Sequence, residues 1–207
     1  MPRRSQEDRS RATRASLEAV GRRLFAERGY TAVSAEQIVA AAGVTRGALH
    51  HHYGDKRGLF IAVLEQLEAD NTAEIGRAIA GLPDPTDPLA AMATGLHTFL
   101  MISRRPETVR IAMSDGPAVL GWQGWREMES RHGLGLITAQ LRQAVDAGLA
   151  PAVPVQTLGQ LILAAITEAG MIVAHAEDPD AAGAEAEQCI LMMLAGLLTP
   201  PAAASAQ

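Results

Sequence analysis

Aromatic residues are scarce in this 207-residue chain: two Trp, two Tyr and three Phe, 3% of the whole. With 48% of residues hydrophobic, the core must be built from Ala, Leu, Ile, Val and Met. Such side chains suit packed helices better than sheets. Cysteine is nearly absent. Cys189 stands alone and cannot close an internal disulfide, which fits a reducing cytoplasm. Long apolar runs are missing too. The strongest, residues 161–174, spans about 14 residues and carries Glu168, against the roughly 20 that cross a bilayer. No apolar segment follows the arginine-rich N-terminus, so no signal peptide is expected. A soluble, cytoplasmic chain with no membrane partner is the expectation. There is no Gly-x-Ser-x-Gly elbow, no glycine-rich phosphate loop, no His-Glu-x-x-His and no paired-cysteine site. The sequence therefore predicts no enzyme, no cofactor and no catalytic residues.

What charge there is lies unevenly. The net value of −5 conceals a basic N-terminal third, in which residues 1–60 hold eleven Lys/Arg against six Asp/Glu. The remaining 147 residues hold seven against seventeen. A chain with one basic end on an acidic body presents that end to a polyanion.

Within the basic end, residues 34–60 read SAEQIVAAAGVTRGALHHHYGDKRGLF. Ser34 is an N-cap, and Gln37 three residues on completes a capping box. Ile38, Val39, Ala41 and Ala42 give the first short helix an apolar side, and Gly43 supplies the left-handed position that ends it. Thr45 caps a second helix over 45–53, whose Leu49 and Tyr53 lie four apart and face inward together. Asp55 caps a third. Two short helices joined by a glycine-containing turn form a helix-turn-helix, whose second member lies in the DNA major groove.

Residues 22–60, RRLFAERGYTAVSAEQIVAAAGVTRGALHHHYGDKRGLF, resemble the DNA-binding domain of the TetR/AcrR family of bacterial transcription regulators. The likeness is carried by Phe25, Gly29 and Tyr30 at the end of the first helix, the A-A-G-V-T turn and the D-K-x-x-L-F start of helix four. It implies an all-α fold: an N-terminal three-helix DNA-binding domain over residues 1–60, then a ligand-binding and dimerisation bundle over 61–207. It also implies that His50, His51 and His52 touch bases or phosphates and that Lys56 binds a phosphate. His50 departs from the family, where tyrosine is more usual.

From docking geometry alone, the first residues of the second helix, Thr45, Arg46, Gly47 and Ala48, would meet base edges. A helix of eight residues is roughly 12 Å long, enough to cross a major groove. Arg46 is the specificity candidate, since its fork can pair with guanine O6 and N7. Gly47 and Ala48 permit close approach. Ser34 and Ala35 begin the preceding helix and can offer backbone N–H groups to a phosphate. The three histidines point about 100° apart in succession and cannot converge on one metal ion.

Elsewhere, residues 1–8 lack periodicity and are expected to be disordered, with Arg3 and Arg4 either reaching DNA or forming a solvated tail. Helix one should run from near Asp8 to Arg28, and helix four from after Asp55 to about Ala80, the mechanical link between the two parts. Three prolines in 81–88 break the chain. Asp87 caps a helix ending near Ser103, and a short helix follows Pro106 to a turn at 114–117. A further helical pattern covers 118–147, with an interruption expected at 132–135. Residues 155–177 are apolar nearly all round, and a helix of that kind must be covered on both sides. With the last helix, near 178–198, it is expected to pair with its copy across a two-fold axis. The family resemblance implies a four-helix dimer interface of this kind, and the tail 199–207 should fray.

A DNA reader needs only about 60 residues, so the body requires another purpose. Its middle contains His97, Phe99, Met101, Met113, Trp122, Trp125 and Met128, and the next helix adds Glu168 and Met171. These are the candidate ligand-binding residues, for the resemblance implies a mostly apolar effector cavity with a few polar anchors; Arg110 and His175 are further possible anchors. The reading is a dimeric repressor released from an inverted-repeat, double-stranded operator by a small molecule. A regulator with no effector, or a helical-bundle enzyme, are the alternatives. A phosphate beside an imidazole favours its protonated form. Operator binding measured at fixed ionic strength should be tighter at pH 6 than at pH 8, and equal affinities would reject a charged-histidine contact.

Overall fold

The computed structural model describes residues 6–197; Arg3, Arg4 and the tail 199–207 lie outside them. Among the described residues there are helices and no strands. In order, α1 is Gln6–Arg28, α2 Ala35–Ala42, α3 Arg46–Tyr53, α4 Lys56–Ala80 and α5 Pro88–Ile102. A single turn, α6, Pro106–Thr108, leads into a π-helical stretch, Val109–Asp115. Then come α7, Gly116–Asp146, α8, Val155–His175, and α9, Pro179–Leu197. Residues 6–8, expected to be disordered, are the first turn of α1, where Glu7 and Asp8 sit favourably at the positive end of the helix dipole.

The chain packs as two units. One comprises Met1–Glu68 with Pro106–Trp125, the other Ala69–Arg105 with Arg126–Gln207. A division at residue 60 is therefore not where the packing divides. The core of the first unit runs through Phe60 to Leu67, because Leu59, Phe60, Val63, Leu64 and Leu67 are all buried on one side of α4. Leu17, Leu24, Phe25, Val33, Ile38 and Leu49 are buried in the same unit. Phe25, Tyr30 and Phe60 form an aromatic trio with centroids 5.1–5.9 Å apart, two of the pairs edge-on, the arrangement favoured by ring quadrupoles. The few aromatics are thus concentrated where the first unit needs bulk.

The inserted segment 106–125 belongs to this first unit for specific reasons. Arg22 makes a two-pronged ion pair with Glu107 (2.7 and 3.0 Å), and the Tyr30 N–H donates to Asp115 Oδ2 at 2.7 Å. Arg57 Nε donates to the Val119 carbonyl at 3.3 Å. Two details of the segment depart from expectation. Residues 109–115 are wound as a π-helix, and the interruption in α7 falls at Gly121 (φ 75°) rather than at 132–135. Gly121 has nothing near the place a Cβ would take, so it is the backbone conformation that selects glycine there.

In the second unit Met92, Leu96 and Leu100 of α5 pack with Leu141, with Ile162, Ala169 and Val173 of α8, and with Ile190 and Leu194 of α9. Gly159 and Gly170 face inward on α8. A Cβ on Gly159 would press on Thr138, and one on Gly170 on the Phe99 ring. The buried residues of α8 are Gly159, Ile162, Leu163, Thr167, Ala169, Gly170 and Val173, with Leu158, Ala165 and Ile166 packed against the same core. Leu161 and Ile172 are exposed. α8 is 21 residues long, and by length and composition it is apolar enough to cross a membrane; a count ending at the 14-residue run misses this. Here its buried side serves as part of a packed core.

Burial and the neighbouring Glu65 push the Glu68 carboxyl up to about 7. The folded chain therefore retains a proton that the unfolded chain releases near pH 4.5. Stability falls as pH rises from about 4.5 to 7, and above that window the cost of the ionised carboxylate is present in full. Glu68→Gln should raise the thermal midpoint by a few degrees at pH 8 and scarcely at all at pH 4. An equal shift at both pH values would show that the carboxyl is not held protonated.

Candidate nucleic-acid interface

Everything about α3 is fixed by its two ends and one side. Thr45 has extended backbone angles, and its Oγ1 accepts the Ala48 N–H at 3.2 Å, satisfying one of the helix's free donors. Gly43, in the left-handed conformation (φ 65°), ends α2 and turns the chain into α3 within two residues. On the inner side Leu49 is 2% exposed. Tyr53 is half-buried, and its hydroxyl donates to Glu18 Oε1 on α1 at 2.7 Å. Burial first, and the Glu18 carboxylate second, push that phenol up to about 12, so it remains a neutral donor at every physiological pH. The Tyr53 hydroxyl ties α3 to α1.

The other side of α3 is open. Thr45, Arg46, Gly47, His50 and His51 are exposed, while Ala48 and His52 are half-buried. The rings of His51 and His52 meet edge-on at 4.9 Å. The exposed surface is polar and basic, with no side chain on Gly47 to obstruct a groove. Arg46 is 77% exposed, and its Nη1 lies 2.8 Å from Glu36 Oε1 on α2. Solvent screening leaves a pair this exposed contributing little to stability.

Two expected phosphate contacts look different in three dimensions. The Ser34 N–H donates to Gln37 Oε1 (2.9 Å), while Ser34 Oγ accepts the Gln37 N–H (3.2 Å). The capping box thus occupies the Ser34 N–H that was to meet a phosphate. The Glu36 carboxyl is held below its usual range by its own backbone N–H, by the Ser34 hydroxyl and by Arg46. A carboxylate already sits at the start of α2, beside half-buried Ala35. Lys56, in turn, points its ammonium at the carbonyls of Tyr30 (2.9 Å) and Val33 (2.8 Å), over the Tyr30 ring at 3.9 Å. It ties the turn before α2 to the first turn of α4.

The proposed effector residues are divided between the two units. Met113, Trp122 and Trp125 belong to the first unit; His97, Phe99, Met101, Met128, Glu168 and Met171 belong to the second. His97, Met101, Trp122 and Glu168 are exposed, and His97 pairs with Glu187 at 3.1 Å. Met113, Trp125 and Met128 are buried; Phe99 and Met171 are half-buried, with Phe99 covering Gly170. His175 Nδ1 lies 2.9 Å from the Met171 carbonyl. Arg110 packs beside Gly29.

Sequence reasoning missed Glu36 and the 106–125 segment. The Glu36–Arg46 pair spans ten residues across the turn, beyond the three- and four-residue spacings that a helix face makes legible. The ion pair from Arg22 to Glu107 spans 85 residues and leaves no local signal.

A capped, eight-residue helix with an open basic side, docked through its other side and preceded by a short helix and glycine turn, is a helix-turn-helix of the DNA-reading kind. The wider comparisons agree. Residues 18–63 match the model for bacterial regulatory proteins of the tetR family, and residues 89–197 match the tetracyclin repressor-like C-terminal domain. The chain belongs to the TetR family, a family of bacterial transcriptional regulators. A TetR-family transcriptional regulator from Pectobacterium atrosepticum has a solved structure with 31% sequence identity and a TM-score of 0.82, covering 96% of this chain and 100% of that one. The transcriptional repressor AcnR of Corynebacterium glutamicum is 43% identical over 54 residues, 26% of this chain and 28% of the relative. The transcriptional regulator AcrR of Shigella flexneri is 35% identical over 101 residues, 49% of this chain and 46% of the relative. The chain thus matches about a quarter to a half of the length of these two curated relatives.

The position of Lys56 yields a direct test. Lys56→Met would take one of two donors from the Tyr30 carbonyl, which also accepts the Val33 N–H. It would leave the Val33 carbonyl without its lysine donor and should cost about 1–3 kcal/mol of stability. A lysine serving only to contact phosphate would leave the thermal midpoint of the DNA-free protein unchanged.

Proposed function

We propose that the chain is a homodimeric, sequence-specific transcriptional repressor, acting in the bacterial cytoplasm on an inverted-repeat operator and released by a small, mostly apolar molecule. The observation that carries the DNA reading is the open side of α3, with Arg46, Gly47, Ala48 and the histidines facing outward while Leu49 and Tyr53 hold the helix from behind. Thr45 retains a hydroxyl proton for a phosphate. The repressor sense is supported by the family membership and by AcnR, itself named a repressor.

Dimerisation is supported by the surface of α8 and α9. Leu161 (64% exposed) and Ile172 lie eleven residues apart, three turns along one side of α8. Met192 (61% exposed), Met193 and Leu197 form a corresponding strip on α9, beside a shallow, mostly apolar groove lined by Ala184, Glu187, Gln188, Leu191, Met192 and Ala195. Exposed strips of large apolar side chains on two adjacent helices favour a partner with the same two helices, since an isologous contact matches a patch with itself. Two copies would bring two reading heads to successive turns of duplex, matching a two-fold operator.

Reading is assigned to the first unit, and dimerisation and sensing to the second. Effector control would be a two-state shift, with the ligand favouring a conformation unfit for the operator. A coupling of about 1–3 kcal/mol suffices for a severalfold to hundredfold change in occupancy. Two stretches are placed to carry it. Helix α4 gives its first half to one unit and its second half to the other. The segment 106–125 is fastened to the reading head by Glu107 and Asp115 and continues into α7. No catalytic activity is assigned.

Selection of bound sequences from random DNA tests the reading: an inverted repeat should emerge, and its absence would refute it. For the dimer, Leu161→Glu combined with Met192→Glu alters two exposed positions and should leave the fold intact. Sedimentation should then report one chain rather than two, with operator affinity lower by about a hundredfold through loss of the linked second head. A double variant that remains dimeric would exclude this face.

A further inference from the structure

The Glu36 carboxylate has no part in a simple phosphate-seeking surface. It sits at the start of α2, in the half of the motif that crosses the DNA backbone, where a negative charge is repelled by phosphate. Yet it is engaged: its Oε1 accepts from Arg46 Nη1 at 2.8 Å. Both residues are largely exposed (63% and 77%), so neither is held there by the core.

We infer that Glu36 is a specificity-determining positioning residue: it fixes the Arg46 guanidinium for reading a guanine and cancels its charge towards phosphate. This rests on the DNA-reading function proposed above. A guanidinium has five N–H donors. One hydrogen bond from Nη1 to Glu36 leaves enough for the two that guanine O6 and N7 accept, so Glu36 and guanine can hold Arg46 together. The flexible arginine would then reach the groove with part of its rotamer freedom already surrendered, and pre-organisation of that kind favours the correct partner. Attraction to phosphate is different. It depends on net charge and is blind to sequence, and the Glu36–Arg46 pair is neutral. The arrangement keeps the hydrogen-bond geometry that reads a base while suppressing the charge that binds any duplex. A contrary role is physically conceivable, in which Glu36 merely competes with DNA for Arg46. Displacing a competitor would weaken operator and non-operator binding alike, so the two roles differ in what they do to the ratio.

The experiment uses the full-length chain with two duplexes: the inverted repeat selected from random DNA by the wild type, and a scrambled duplex of equal composition. With Glu36→Gln, affinity for the scrambled duplex should rise about three- to tenfold. Its log–log salt dependence should steepen by about one phosphate's worth, and operator affinity should not rise. Single-base-pair replacements across the half-site should show that discrimination is lost chiefly at one guanine position. Arg46→Ala should abolish these differences, making Glu36→Gln silent in its background. If Glu36→Gln raises both affinities equally, Glu36 is only a competitor and the inference fails. It fails also if the change persists in the Arg46→Ala background, or if discrimination is lost instead at a cytosine that Glu36 itself would read. A wild-type chain that prefers no inverted repeat would overturn the DNA-reading function itself, a result distinct from any of these.

Discussion

An isolated helix of eight residues does not persist in water, because nucleation costs more than two turns of hydrogen bonds return. Helix α3 therefore owes its existence to its surroundings: the Thr45 cap, the left-handed glycine before it, burial of Leu49 and the Tyr53 hydroxyl on Glu18. These supports act on one side and at the first turn, which leaves the opposite side free of structural duty. Arg46, Gly47 and the histidines can be chosen for what they meet outside. The aromatic trio of Phe25, Tyr30 and Phe60, with Lys56 above the Tyr30 ring, does the same work for the turn that feeds α2. Most of the bulky aromatic surface in a chain poor in aromatics is spent on keeping this small head rigid.

Much of the head was legible beforehand. The cap at Ser34, the capping box with Gln37, the glycine at 43 and the Leu49–Tyr53 pair are local signals, each readable within four residues. The body resisted for equally physical reasons. In α8 apolar residues occur nearly all round, and the buried side mixes Ile162, Leu163 and Val173 with Gly159, Thr167, Ala169 and Gly170, the two glycines letting Thr138 and Phe99 approach closely. Periodicity reports where apolar bulk lies, not which face finds a close-fitting neighbour. The break in α7 was misplaced for a related reason. His132 to Gly135 contains two glycines yet stays helical, whereas Gly121 alone takes the left-handed backbone. The pairing of Glu107 with Arg22 had no precursor in composition or spacing.

The division of the chain also changes how a signal can travel. Sequence order suggests a head followed by a body with α4 as the only bridge. In the structure the head unit also claims residues 106–125, held by one two-pronged ion pair and by a carboxylate that receives the Tyr30 N–H. The chain therefore crosses between units at three points, after Glu68, after Arg105 and after Trp125. The π-helical turn and the Gly121 bend both lie between the last two crossings, where local irregularity lets a strictly helical chain change direction.

Both tryptophans sit in that inserted segment, with ring centroids 5.2 Å apart. Trp125 is sealed from water while Trp122 is 62% exposed. Light absorbed by the protein is thus emitted almost entirely from one short stretch, by one indole in a dry setting and one in a wet setting. Any rearrangement of residues 106–125 would alter the colour of that emission and its access to dissolved quenchers, so the chain carries an intrinsic optical gauge at one of the places where its two units are joined.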